Sequence, residues 1–258
     1  LAETVAEARS IVTAAQQAKR KVVVGYILRV HPAWTKFVEV ARTLGKPLVM
    51  RMNLNQQSRG KDWRTHKALM DSMSPIVDCG VHYVDAMCRM TQSKPVRVSA
   101  IQARLSDEMK PGMYNYGQLQ VTFACGSVGW YEAGWGPMMS EVAYFVKDVV
   151  GPKGAVSIVP NPKQHKDGVS DSSNIDQHTK TDAIQFHSAE VNPGDKSFAR
   201  KDEIFTMTDE PDHQELCDRE QAFFLKAINE DLDLGDSMDA AVNSLRIVLA
   251  AEQSINEK

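Results

Sequence analysis

Apolar positions recur along the chain with two periods, and the switches between them mark its elements. Thr4 and Glu7 stand at capping-box spacing, and Val5, Ala8, Val12 and Ala15 follow on one helical face. Val22, Val23 and Val24 form an unbroken apolar run, as in a strand buried on both sides. Pro32 opens a second helix, with Trp34, Phe37, Ala41 and Leu44 on one face and Gly45 at its end. Leu48, Met50, Met52 and Leu54 then alternate with other positions at strand period. Residues 55–73 are polar and read as irregular, and Ser74-Pro75 starts a helix that runs to about Met90. Strands are predicted over 95–105, 116–124, 127–133, 141–149 and 154–159. In the second of these, Leu119, Val121 and Phe123 alternate with Gln118, Gln120 and Thr122, so one face packs and the other is wetter. Residues 160–182 form a polar excursion, followed by short strands at 183–188 and 203–207. Two helices close the chain. One carries Leu216, Glu220, Phe223, Phe224, Ala227 and Ile228; the other starts at an Asp236 or Ser237 cap and runs through Met238, Val242, Leu245, Leu249 and Ile255. The pattern predicts an α+β fold: a large open, mostly antiparallel sheet with helices on one face.

The helix and strand before residue 31 make one α/β unit, where a doubly wound sheet needs several. Residues 1–30 are therefore expected to be the C-terminal remnant of a Rossmann α/β domain, and 31–258 a separate larger domain. With 258 residues, 43% hydrophobic and 24% charged, the chain has ordinary globular composition. The formal net charge of −3 argues against nucleic-acid and anionic-membrane partners, which need clustered Lys and Arg. Lys19-Arg20-Lys21, the longest basic cluster, reads as a solvated helix end. No apolar run approaches the ~20 residues of a membrane span. Cys79, Cys88, Cys125 and Cys217 show no C-x-x-C spacing, which suggests reduced thiols and a cytoplasmic setting. A periplasmic location stays open, because any leader would precede Leu1.

Candidate chemistry concentrates between Asp78 and Asp85. On one continuous helix Asp78, His82 and Asp85 share a face, while Val77, Val81, Val84 and Cys88 form an apolar one. A histidine beside a carboxylate can take a proton from a substrate hydroxyl while the carboxylate orients the ring. The same spacing also suits a solvated i,i+4 pair. A metal site fits less well, since no H-E-x-x-H or Cys/His ligand spacing occurs elsewhere, and none is expected.

Asp78-Cys79-Gly80-Val81-His82-Tyr83-Val84-Asp85 resembles the D-x-G-x-H-x-x-D motif of the glucose–fructose oxidoreductase and inositol dehydrogenase family, Gfo/Idh/MocA. Other pieces match in order: Val24-Gly25-Tyr26 with Arg29 and Pro32, the Leu44-Gly45-Lys46-Pro47 turn, the Val150-Gly151-Pro152-Lys153-Gly154 hairpin, and the closing helix from Ala240 to Ser254. The resemblance covers nearly the whole chain. It implies that 31–258 is a substrate-binding and oligomerisation domain, with His82 as proposed catalytic base and Asp78 as substrate-binding carboxylate. It further implies Asp85, Tyr26 and Arg29 as candidate substrate contacts, with His31 beside them at the same strand end, a sugar, polyol or cyclitol as substrate, NAD or NADP as cofactor of the intact protein, and a homodimer or tetramer built on the sheet face.

No glycine-rich turn opens a strand–helix unit, so no cofactor-binding residues are assigned and no cofactor is expected for this chain by itself. The family's Glu-Lys-Pro is also without a counterpart. The expected function is that of a fragment of an NAD(P)-dependent oxidoreductase, inactive as given; the alternative is a non-catalytic sugar-binding or assembly module. Trp63, with Lys61, Arg64 and His66, is a candidate sugar-facing lid against the plainer reading of a solvated loop. Trp130, Tyr131 and Trp135 read as sheet-face or interface aromatics, and His165, His178, His187 and His213 receive no role.

Overall fold

The computed structural model describes residues 1–139, 146–159, 181–208 and 210–257. The excursion expected at 160–182 therefore falls mostly outside the described residues, as do His165, His178 and the first part of the 141–149 strand.

Eight strands form one sheet in the order β2-β3-β4-β1-β5-β6-β7-β8: β1 Val49–Gln57, β2 Pro95–Ala103, β3 Tyr116–Phe123, β4 Val128–Gly136, β5 Lys147–Gly151, β6 Gly154–Val159, β7 Ala183–Ser188 and β8 Glu203–Thr206. Only β1 and β4 pair in parallel, Val49 beside Val128 through Gln57 beside Gly136; the other pairings are antiparallel. This is the open, mostly antiparallel sheet the pattern predicted. The Gly-x-x-Gly segment after Val150 is the β5–β6 hairpin, with Gly154 at φ 143°.

The α-helices of the described residues are α1 Val5–Gln17, α2 Pro32–Thr43, α3 Gly60–Leu69, α4 Pro75–Asp78, α5 Gly80–Thr91, α6 His213–Asn229 and α7 Gly235–Asn256. Met50, Met52, Leu119, Val121, Phe123 and Tyr131 point from the sheet into one core with Ala8 and Val12 of α1, Trp34 and Phe37 of α2, and Leu245 and Val248 of α7. On the opposite face Val49, Val128, Val150 and Ile101 remain 39–50% exposed. The alternation therefore sets which face is covered.

Four local expectations are corrected. Val22 to Val24 belong to no strand among the described residues, and they are only half-buried. An apolar run predicts burial, whereas a ladder also needs a neighbouring strand to supply its hydrogen bonds. Residues 55–73 are not irregular: β1 runs on to Gln57, and α3 follows with Trp63 as its buried residue. The helix expected from Ser74 to Met90 breaks at Cys79, which ends α4 and starts α5. Finally, α7 begins at Gly235 after Leu234, not behind an Asp236 or Ser237 cap.

Candidate active site

Ser74 starts the segment that carries Asp78. Its hydroxyl accepts from the Val77 N–H at 3.2 Å and donates to Glu252 of α7, which also receives the Tyr114 hydroxyl. Pro75 at the first helical position suits so short a helix. After the break, Gly80 lies against Tyr131 and Val248, where an added Cβ would meet both at 3.3 Å. Small size at Gly80 is what lets α5 settle onto the sheet.

The break redistributes the three residues expected on one face. Asp78 is half-buried at the end of α4 and accepts a weak hydrogen bond from the Cys79 thiol at 3.3 Å. His82 lies in the first turn of α5 with its Nδ1 buried and without a hydrogen-bond partner. Tyr26 packs edge-on against the imidazole, with ring centroids 5.5 Å apart and planes at 79°. Burial lowers the His82 pKa, the nearby Asp78 and Asp85 charges oppose that shift, and His213 adds to it. The result is a neutral imidazole able to accept a proton.

Asp85 is 2% exposed and faces Arg29 instead. Arg29 donates to both its oxygens, Nε to Oδ2 at 2.9 Å and Nη2 to Oδ1 at 2.5 Å, and Nη1 reaches Ser237 of α7 at 3.1 Å. The guanidinium also lies 5.0 Å from the Tyr26 ring centre. This clamp ties the turn at Ile27–Arg29 to α5 and α7, and so fixes the ring that packs on His82. Burial pushes the Tyr26 hydroxyl up to about 12, against a lowering hydrogen bond with Ser244.

Trp63 lies apart from this group. It is 6% exposed in a satellite cluster with Met70, Met109 and Trp135, donates to Glu108 at 3.3 Å, and carries Lys67 over its ring at 5.5 Å. Its face is taken by protein, which leaves none for a sugar to stack on. His31 is fully buried and caps α2 by accepting from the Ala33 N–H at 3.2 Å.

Two neighbours of the site were not singled out from sequence. His213, the first residue of α6, is near enough to influence His82, and nothing in its polar surroundings marks it. Lys147 is 1% exposed, donates to the Asn53 carbonyl, and holds its ammonium 4.9 Å from the Tyr83 ring centre. It sits in one rung with Met52 and Tyr131, and burial drives its pKa well down. Strand alternation carried a signal for it, because Lys147 shares the inward parity of Val149.

Fold and site together define an α+β sheet carrying an Asp–Cys–Gly–x–His turn beneath its helices. Residues 40–157 match the profile of the GFO/IDH/MocA C-terminal domain. No curated protein sequence matches the chain. Among solved structures it is similar to aldose-aldose oxidoreductase from Caulobacter crescentus complexed with glycerol, at TM-score 0.70 and 18% identity over 99% of this chain and 68% of that one. It is also similar to UDP-N-acetylglucosamine 3-dehydrogenase from Acidithiobacillus ferrooxidans, at TM-score 0.65 and 17% identity over 98% and 68%. An NAD binding oxidoreductase from Klebsiella pneumoniae has TM-score 0.71 and 15% identity over 99% and 69%. At these identities the likeness is one of fold.

Proposed function

We propose that this chain supplies the substrate half of an NAD(P)-dependent oxidoreductase acting on a hydroxyl of a sugar, sugar derivative or cyclitol. The observation that carries the reading is His82: a neutral, mostly buried imidazole beside Asp78, held against Tyr26 by the Arg29–Asp85 clamp. Oxidising a secondary alcohol requires the hydroxyl proton to leave as hydride leaves carbon, and a neutral histidine is suited to take that proton. Asp78 holds the substrate by accepting from a neighbouring hydroxyl, and its charge favours the imidazolium once it forms.

The described residues do not fit a dinucleotide. A pyrophosphate cradle needs a glycine-rich strand-to-helix turn that aims backbone N–H groups at the phosphates. The positive-φ glycines here lie instead in hairpins, in turns and at the start of α3. We therefore assign nicotinamide binding to a part of the whole protein other than these residues. The open sheet face, with its half-exposed Trp130 and exposed valines, is read as a surface for self-association.

The test is an NAD(P)-coupled assay of the whole natural polypeptide against a panel of sugars, sugar nucleotides and inositols. His82→Ala should lower kcat by roughly 10²–10⁴, the contribution of a positioned general base, while Asp78→Ala should also raise KM. Near-normal turnover by His82→Ala at neutral pH would remove the base from the reading. Sugar binding with no turnover in the unaltered protein would assign the non-catalytic module instead.

A further inference from the structure

Between residues 23–30, α6 and the start of α7 lies a cavity of about 450 Å³. Tyr26 borders it and packs against His82, yet neither Asp78 nor His82 lines it. Its volume is within the range of small-molecule sites, roughly 300–1,000 Å³. The walls are mainly apolar and include Val23, Val24, Phe223 and Leu234.

Two side chains of opposite charge lie in these walls with their binding capacity unspent. Arg29 is already held by Asp85 and Ser237, but the Arg89 guanidinium has no hydrogen bond or ion pair among the described residues. The Glu220 carboxylate likewise has none. It rests against Gly25, where a Cβ would come within 2.9 Å of Oε2, so only glycine leaves it that place without a shift. Arg89 and Glu220 do not pair with each other. Burial lowers the Arg89 pKa and raises that of Glu220 to about 6, as befits charges desolvated without full compensation.

Opposite charges that share one apolar-walled cavity without meeting suit a ligand that carries both charges. We infer that this cavity binds a small zwitterion with an apolar body, its carboxylate on Arg89, its ammonium on Glu220 and its hydrocarbon against Val23, Val24 and Phe223. The exposed carboxylates of Asp233 and Asp236 border the cavity and reinforce the ammonium end. The site stands independently of the oxidoreductase reading.

Phenylalanine, 3-phenylpropionate and phenethylamine are matched probes that share a body and differ in charge. Calorimetric titration of the chain at neutral pH should show phenylalanine binding at least about tenfold more tightly than either single-charge analogue, the scale of one charged hydrogen bond. Arg89→Met should abolish the preference over phenethylamine alone. Glu220→Gln should abolish the preference over 3-phenylpropionate alone. No phenylalanine binding at millimolar concentration, equal affinity for all three probes, or folded variants that keep both preferences would each overturn the inference. If a variant fails to fold, the three probes on the unaltered chain still decide it.

Discussion

The imidazole of His82 is pulled in two directions. Burial disfavours its charged form, and His213 acts the same way, while Asp78 and Asp85 favour that form; burial wins, and the pKa is lowered from 6.5. In the unfolded chain His82 therefore binds a proton at a higher pH than in the fold. Its contribution to stability is complete above pH 6.5 and declines as pH falls from there through the folded pKa. An NMR titration of the ring should give a midpoint below 6.5, and His82→Gln should flatten this part of the stability–pH profile. A midpoint at or above 6.5 would mean that the carboxylates dominate. At this scale the sequence was poor about partnership. It named His82 and Asp78, but Asp85 shares its helix with His82 and still turns to Arg29, 56 positions away. Spacing along one helix does not report such a partner. Trp63 misled for a related reason: an aromatic among basic residues looks solvent-facing until α3 turns it against Met70, Met109 and Trp135.

Among the elements, the β5–β6 hairpin is the most exacting. Gly154 has φ 143° and pairs with Ser188, and a side chain there would fall on the carbonyl oxygen of His187. Gly154→Ala should therefore cost more than about 3 kcal/mol, since strain at a glycine-only conformation adds to a backbone clash. Gly60→Ala, at φ 57° with nothing within 4 Å, should cost about 1 kcal/mol. Urea denaturation of both variants checks the contrast, and equal losses would contradict it. Strand positions were largely legible because alternation records burial directly, as in Leu119, Val121 and Phe123. The α4–α5 break was not. Cys79 keeps right-handed helical angles, φ −87° and ψ −28°, so no proline or left-handed residue announces it. Val22 to Val24 show the converse limit, β-branched residues that form no strand among the described residues.

For the whole molecule, the open sheet face sets the main expectation. Val128, Val49 and Val150 stand side by side on β4, β1 and β5, each about 40% exposed, with Trp130 one rung along. An exposed group of apolar side chains on an uncovered sheet face is the kind of surface on which we propose self-association. Light scattering at high micromolar concentration should show a dimer or larger assembly. Trp130→Arg should dissociate it with circular dichroism unchanged, and a clean monomer before substitution would count against the interface. The sequence could anticipate this face because Val128 and Trp130 share one parity while Gly129 and Tyr131 share the other. It could not anticipate strand order, which depends on where β1 inserts. That insertion bears on how the chain reaches its fold. The β2–β3–β4 and β5–β6 units close through neighbouring segments, whereas β1 must find β4 across 79 positions and, among the described residues, joins the two groups. Until it docks, β4 and β5 each present a bare edge, and bare edges recruit other chains. The slow step of assembly is thus also the one most exposed to aggregation, and rapid dilution during refolding should raise the yield by separating chains while β1 searches.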